Sequence, residues 1–264
     1  VLSNYLITFI FGAIVGSFLN VCIYRIPKRL SIIKPSSYCP SCEKPIRFYD
    51  NIPILSYIIL GSKCRSCGAK ISVKYPIVEF LNALLYVIAL WRFGPEPSWH
   101  LIVYFVFLSS LIAITFIDLE HQIIPDRITL PGIPLGLILG STILPDPFSR
   151  ASMLGFKSSI IGLLLGGGLF SLVAILGRML FKKEALGGGD IKMMAMIGGF
   201  LGWKGVLLTT FLGSLSGSIV GISLITLKGR QWGLRIPFGP YLAVGAVLSL
   251  VVGQEFLIWY LHKQ

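Results

Sequence analysis

The sequence predicts an all-α polytopic membrane protein: about eight transmembrane helices with a small cytosolic four-Cys zinc-type loop domain. Three observations predict it. Hydrophobic residues fill 55% of the 264 positions and charged residues only 13%, about half the charged share of a soluble domain. Apolar runs recur at lengths close to the ~20 residues that carry a helix across a bilayer. Four of the five cysteines fall in the one sizeable polar segment. Mean hydropathy is +0.82.

The apolar stretches cover 4–24, 76–93, 100–118, 123–144, 156–180, 191–202, 204–227 and 239–261. The first is expected to be retained, not cleaved as a signal peptide, because its basic cluster (Arg25, Lys28, Arg29) follows the apolar run instead of preceding it. The sixth is short and carries Gly198, Gly199 and Gly202. It reads either as a half-helix or as a segment that merges with the seventh through Gly202-Trp203-Lys204. Such backbone at membrane depth needs cover from protein or a cavity.

Charge orients the spans. Eight crossings put the loops after the first, third, fifth and seventh on one side, with 18 of the 23 Lys and Arg residues. The other side holds Arg92, Arg150, Lys157, Lys204 and Lys263. The positive-inside rule makes the first side cytosolic and leaves both termini outside. The net charge of +12 follows this topology, so nucleic-acid binding is a poor explanation for it. The expected organisation is a first transmembrane helix at 1–24, a cytosolic Cys-rich domain at 25–75 and a transmembrane helical core at 76–264. No internal repeat or low-complexity tract is apparent.

In the cytosolic segment, Cys39-Pro-Ser-Cys42 and Cys64-Arg-Ser-Cys67 form two C-x-x-C pairs. Each pair sets two thiolates on one side of a tight knuckle, and two knuckles complete the tetrahedral S₄ site favoured by structural zinc. Lys44, Lys63 and Arg65 are placed to offset the negative charge of the thiolates. An iron–sulfur centre uses the same ligands. A cytosolic location argues against disulfides. A segment this small lacks a core of its own, so metal binding would supply folding energy. Cys22 reads as a small buried apolar residue.

The chain has only 11 acids. Asp118 closes the third apolar run and Asp190 follows Gly187-Gly188-Gly189 at the start of the sixth, so both are expected at cytosolic helix ends at similar depth. Two carboxylates that share a proton can hydrolyse a peptide without a metal or covalent nucleophile. One takes a proton from water while the protonated one polarises the scissile carbonyl. The competing structural reading pairs Asp118 with Arg127 and makes Asp190 a helix cap. Two acids at matched depth favour function, since acids within membrane spans are rarely idle. Glu79 reads as a helix-start carboxylate, and Glu120, His121 and Asp126 as solvated loop residues. Serine-hydrolase, zinc-metalloprotease and P-loop motifs are not found.

Several motifs together resemble one family, the type IV prepilin peptidases, which are GxGD membrane aspartyl proteases of pilus and type II secretion systems. They are Gly16-Ser17-Phe18-Leu19-Asn20-Val21, Tyr24-Arg25, the paired C-x-x-C loop around Asn51-Ile52-Pro53, and Tyr75-Pro76-Ile77-Val78-Glu79. Asp118 with Pro125, Gly187-x-Gly189-Asp190-Ile191-Lys192 and Pro237-Phe238-Gly239-Pro240 extend the likeness over nearly the whole chain. The resemblance implies cleavage of prepilins and pseudopilins after a Gly, at the cytosolic face of the bacterial inner membrane. It implies Asp118 and Asp190 as catalytic residues and Cys39, Cys42, Cys64 and Cys67 as metal ligands. It also implies N-methylation of the new terminus with S-adenosyl-L-methionine, although no motif here independently marks where that cofactor binds. Another GxGD intramembrane protease would share the dyad without the cysteine loop. A transporter would use the two aspartates as ion ligands, and a non-catalytic pilus assembly platform would use the zinc loop as a docking site and need neither aspartate.

Overall fold

The computed structural model describes residues 2–94, 98–149, 152–181, 186–228 and 237–261. Glu96, Arg150, Lys182, Lys183, Arg230, Arg235 and Lys263 lie outside the described residues. The described secondary structure is helical, with isolated β-bridges only. The chain divides into two compact units, 1–113 and 114–264.

In the first unit, α1 (Leu2–Arg25) packs on α3 (Lys74–Phe93). The sequence allows this through small residues. A Cβ on Gly12 would stand 2.7 Å from the Ala83 Cα, and one on Gly16 would stand 2.6 Å from the Glu79 Cα. Backbones therefore touch, as small residues permit between membrane helices. The buried Asn82 amide donates to the Gly12 carbonyl at 2.7 Å. Its oxygen accepts from the Ser109 hydroxyl at 2.9 Å, and Ser109 also bonds the Tyr86 hydroxyl at 2.9 Å. Polar groups at membrane depth are thus satisfied inside the protein. Ser109 belongs to α4 (Trp99–His121), whose residues to Ala113 lie in this unit. Between α1 and α3 run a 3₁₀ turn (Phe48–Asn51) and a short helix, α2 (Leu55–Ile59).

The second unit takes the end of α4 and then α5 (Asp126–Thr142), α6 (Gly155–Phe181), α7 (Gly188–Lys228) and α8 (Gly239–Leu261). Gly132, Gly136 and Gly140 recur every fourth residue on α5 and so share one face. They meet Met196, Phe200 and Gly199 of α7. Gly162 and Gly166 of α6 lie against the Gly198 and Met194 backbones. Glycine stripes therefore wrap the start of α7, and its residues 193–197 are buried.

Among the described residues, six helices are long and apolar enough to cross a membrane. The protein is accordingly multi-pass. The shorter α5 carries Pro131 and Pro134. Two of the apolar stretches, 191–202 and 204–227, lie in α7, which breaks at Gly202 (φ 71°, ψ −178°). Contacts show that the chain reverses there. Before the break, α7 runs antiparallel to α6, with Met194 beside Gly166 and Gly198 beside Gly162. After it, Thr209 meets Gly245, Gly213 meets Leu242 and Gly217 meets Phe238, so α7 runs antiparallel to α8 back toward the start of α8. The first arm, 188–201, is only about 21 Å long at 1.5 Å per residue.

Candidate active site

Asp118 sits in the last turn of α4 and is buried. Its Oδ2 accepts the backbone N–H of Gly239 at 3.0 Å. Asp190 sits in the first turn of α7 and is also buried. Its Oδ2 accepts the Gly187 N–H at 3.1 Å, while its own N–H donates to the Gly187 carbonyl at 3.1 Å. That reciprocal pair is the acidic half of a capping box. Asp190 thus serves the helix start from inside the first turn, and not as the N-cap residue of the structural reading. Asp118 bonds the Gly239 backbone, and Asp126, the neighbour of Arg127, pairs with Lys192 at 2.7 Å. Glu120 and His121 are exposed as expected but belong to the end of α4 and not to a loop.

The surroundings of the two aspartates meet at one residue, Ile124. A Cβ on Gly189, next to Asp190, would stand 2.7 Å from the Ile124 Cβ. A Cβ on Gly239 would stand 2.7 Å from Asp118 Oδ2 and 3.3 Å from the Ile124 Cδ1. Ile124 is placed by a turn in which Gln122 adopts φ 53° and Pro125 is extended. Pro125 ends the excursion because a proline fits the entry to a helix. The sequence reading did not single out Gly239 or Ile124. The signal for Gly239 was present in the Pro237-Phe238-Gly239-Pro240 turn.

The aspartates are recessed. Met194 faces Gly166 in an antiparallel pair, which puts Asp190 near the level of Phe170, and Phe170 stacks on Phe238 at 6.5 Å. Beyond that level, α6 continues over 171–181 and α7 beyond Gly217 over 218–228, each adding about 16 Å. These extensions expose Leu172, Ile175, Leu176, Ile219, Ile222 and Ile225.

In the first unit, the sulfurs of Cys39, Cys42, Cys64 and Cys67 lie within 4.8 Å of one another. Cys39 and Cys67 Sγ are 3.9 Å apart. A tetrahedral ion with metal–sulfur bonds of about 2.3 Å needs sulfurs ~3.8 Å apart, so the cluster fits a metal. None of the four is in a disulfide. The two knuckles repeat each other. Glu43 N–H bonds the Cys39 carbonyl and Gly68 N–H the Cys64 carbonyl, at 2.8 and 2.9 Å. Glu43 (φ 57°) and Gly68 (φ 72°) are both left-handed, and the bridges Tyr38–Pro45 and Lys63–Lys70 correspond. SYCPSCEKPI at 37–46 and SKCRSCGAKI at 62–71 are therefore an internal repeat, contrary to the expectation of none. Five of the ten positions are identical in the two copies, and the backbone bonds correspond throughout.

Backbone amides of Cys67 and Ser66 draw the Cys64 thiol down to about 7. Arg65, expected to serve the thiolates, instead grips Asp50 with bonds of 2.7–3.0 Å. Glu79, buried on α3, accepts the Ile54 N–H at 2.7 Å. Ile54 has φ 62°, a strained conformation for a β-branched residue. The Glu79 bond holds that turn of the cysteine segment against α3.

Two family models match in tandem. Residues 10–93 match the Bacterial Peptidase A24 N-terminal domain and residues 105–222 match the Type IV leader peptidase family. The chain is 35% identical to a prepilin leader peptidase/N-methyltransferase of Pseudomonas aeruginosa, over 99% of this chain and 94% of that protein. The chain belongs to the type IV leader peptidase family. Its relatives include a Myxococcus xanthus protein of the same name, 39% identical over 84% of this chain and 63% of that protein. Another, from Neisseria gonorrhoeae, is 34% identical over 89% of this chain and 86% of that protein. No solved structure matches the chain. This leader peptidase family member thus carries both family regions, with the four-cysteine cluster in the first and the two buried aspartates in the second.

Proposed function

We propose that this protein is a membrane aspartyl endopeptidase that removes the basic leader from type IV prepilins and pseudopilins, with Asp118 and Asp190 as its catalytic pair. The carrying observation is that the two carboxylates, far apart in sequence, are both buried, and that the glycines beside them, Gly239 and Gly189, both close on Ile124. One carboxylate takes a proton from water and the other, protonated, donates to the scissile carbonyl as the tetrahedral centre forms. The proton then passes to the leaving amine. The Gly239 and Gly187 amides fix the orientation of each carboxyl through Oδ2.

The recess supports the substrate class. A prepilin carries a short basic leader before an apolar helix, and cleavage falls between them. An apolar segment can lie against the exposed apolar extensions of α6 and α7, with the leader toward the cytosol. This reading places the protein in the bacterial inner membrane, with 25–75 as a cytosolic module that precedes the 76–264 protease core in sequence. Cys39, Cys42, Cys64 and Cys67 hold zinc there in a structural role.

The second activity in the relatives' names applies here also. The new N-terminal amine is methylated, and S-adenosyl-L-methionine supplies the methyl group. The test is the full chain in liposomes with a prepilin and that cofactor, with the product's N-terminus read by mass spectrometry. The expected product lacks the leader and carries one added methyl. An intact precursor from a folded, zinc-loaded enzyme would overturn the reading.

A further inference from the structure

A cavity of about 560 Å³ lies in the first unit between the end of α1, the cysteine segment and the first turns of α3. It falls within the ~300–1,000 Å³ range of small-molecule sites. The dyad mechanism makes no use of it. Asn20, Tyr38, Tyr57, Tyr75 and Glu79 line it.

Two features define what it would bind. The first is an unmet acceptor. Asn20 is buried, and its Nδ2 donates to the Tyr75 carbonyl at 3.1 Å, which fixes the amide's orientation. Its Oδ1 is buried with no hydrogen-bond partner among the described residues. Buried acceptors are rarely left so, and a ligand with N–H donors would satisfy it. The Glu79 carboxylate lies on the same cavity wall and adds a negative group. The second feature is aromatic. Tyr38, Tyr57 and Tyr75 are each partly exposed, and such rings stack on a flat base and attract an organic cation. Lys44 and Lys70 in the same lining would take a carboxylate, so together these groups suit a zwitterionic ligand with a planar heterocycle, an ammonium and a carboxylate.

We propose that this cavity is the S-adenosylmethionine site, with Asn20 and Glu79 as acceptors for the ligand's N–H donors and the tyrosines as the aromatic faces. The placement rests on the methyl-transfer reading above. It puts the cofactor site in the family's N-terminal region, apart in sequence from the aspartates.

The test uses the full chain in detergent with radiolabelled S-adenosylmethionine. Equilibrium dialysis measures binding, and ultraviolet cross-linking with peptide mapping locates it. Label is expected on peptides containing Tyr38, Tyr57 or Tyr75, and S-adenosylhomocysteine should block it. Asn20→Leu and the milder Glu79→Gln should each weaken binding at least tenfold, with zinc content and unfolding temperature checked for both. Wild-type affinity in both folded variants, or label confined to 114–264, would overturn the placement and leave methyl transfer standing. No binding to wild type would overturn the methyl-transfer reading itself, and the placement with it.

Discussion

Gly239 donates its backbone N–H to Asp118 Oδ2 at 3.0 Å, tying the start of α8 to the end of α4. Glycine is required there by space. Its Cβ would stand 2.7 Å from the carboxylate oxygen it serves. Gly239→Ala should therefore displace Asp118 and lower kcat by roughly 10–100-fold, the scale of an ångström misplacement. Steady-state cleavage of a prepilin, compared with unfolding temperature, checks it. A loss of stability alone, with kcat intact, would contradict the positioning role.

Gly189 and Ile124 should behave as a coupled pair. Gly189→Ala pushes a methyl to within 2.7 Å of the Ile124 Cβ and should impair cleavage through Asp190. Truncating the neighbour in the double variant Gly189→Ala/Ile124→Ala should recover part of the loss. A coupling of about 0.5–3 kcal/mol is expected for residues in contact, and a double-mutant cycle on kcat/KM measures it. Strict additivity would show that Ile124 does not link the two aspartate surroundings.

The cysteine cluster predicts one zinc per chain. Elemental analysis of purified protein should find it, and iron in its place would identify the alternative centre. Cys39→Ser or Cys64→Ser should bring the metal content close to zero. The 26–73 segment should then become sensitive to protease, because metal binding supplies its folding energy.

The reversal in α7 depends on Gly202, whose φ of 71° and ψ of −178° belong to a region essentially reserved for glycine. Gly202→Ala should cost about 1–3 kcal/mol in backbone strain. It also sets a Cβ 2.8 Å from the Leu154 Cδ1. Denaturation in mild detergent should show the loss.

Much of this was legible in the sequence because membrane spans, C-x-x-C pairs and rare acids are strong signals. Asp118 and Asp190 stood out among 11 acids in an apolar chain. What escaped was carried by backbone. The Gly239 amide has no side chain to mark it, and the Gly202 reversal looks in sequence like a choice between two helices and one. The knuckle repeat is written in hydrogen bonds and left-handed residues, Glu43 in one copy and Gly68 in the other, as well as in shared side chains. Depth was also hidden. Charge counts place both aspartates at cytosolic helix ends, and only the packing of Gly166 on Met194 and Gly217 on Phe238 shows α6 and α7 running on beyond them.

The central claim is that Asp118 and Asp190 perform the hydrolysis together. The most direct test compares wild type with Asp118→Asn and Asp190→Asn on a prepilin in liposomes, each variant confirmed as folded and zinc-loaded. Removing a positioned acid or base costs about 10²–10⁴-fold. Each single variant should fall by at least that much, and the double variant should fall little further, because the pair acts as a unit. Cleavage near the wild-type rate in either folded variant would contradict the account and leave that carboxylate a structural role.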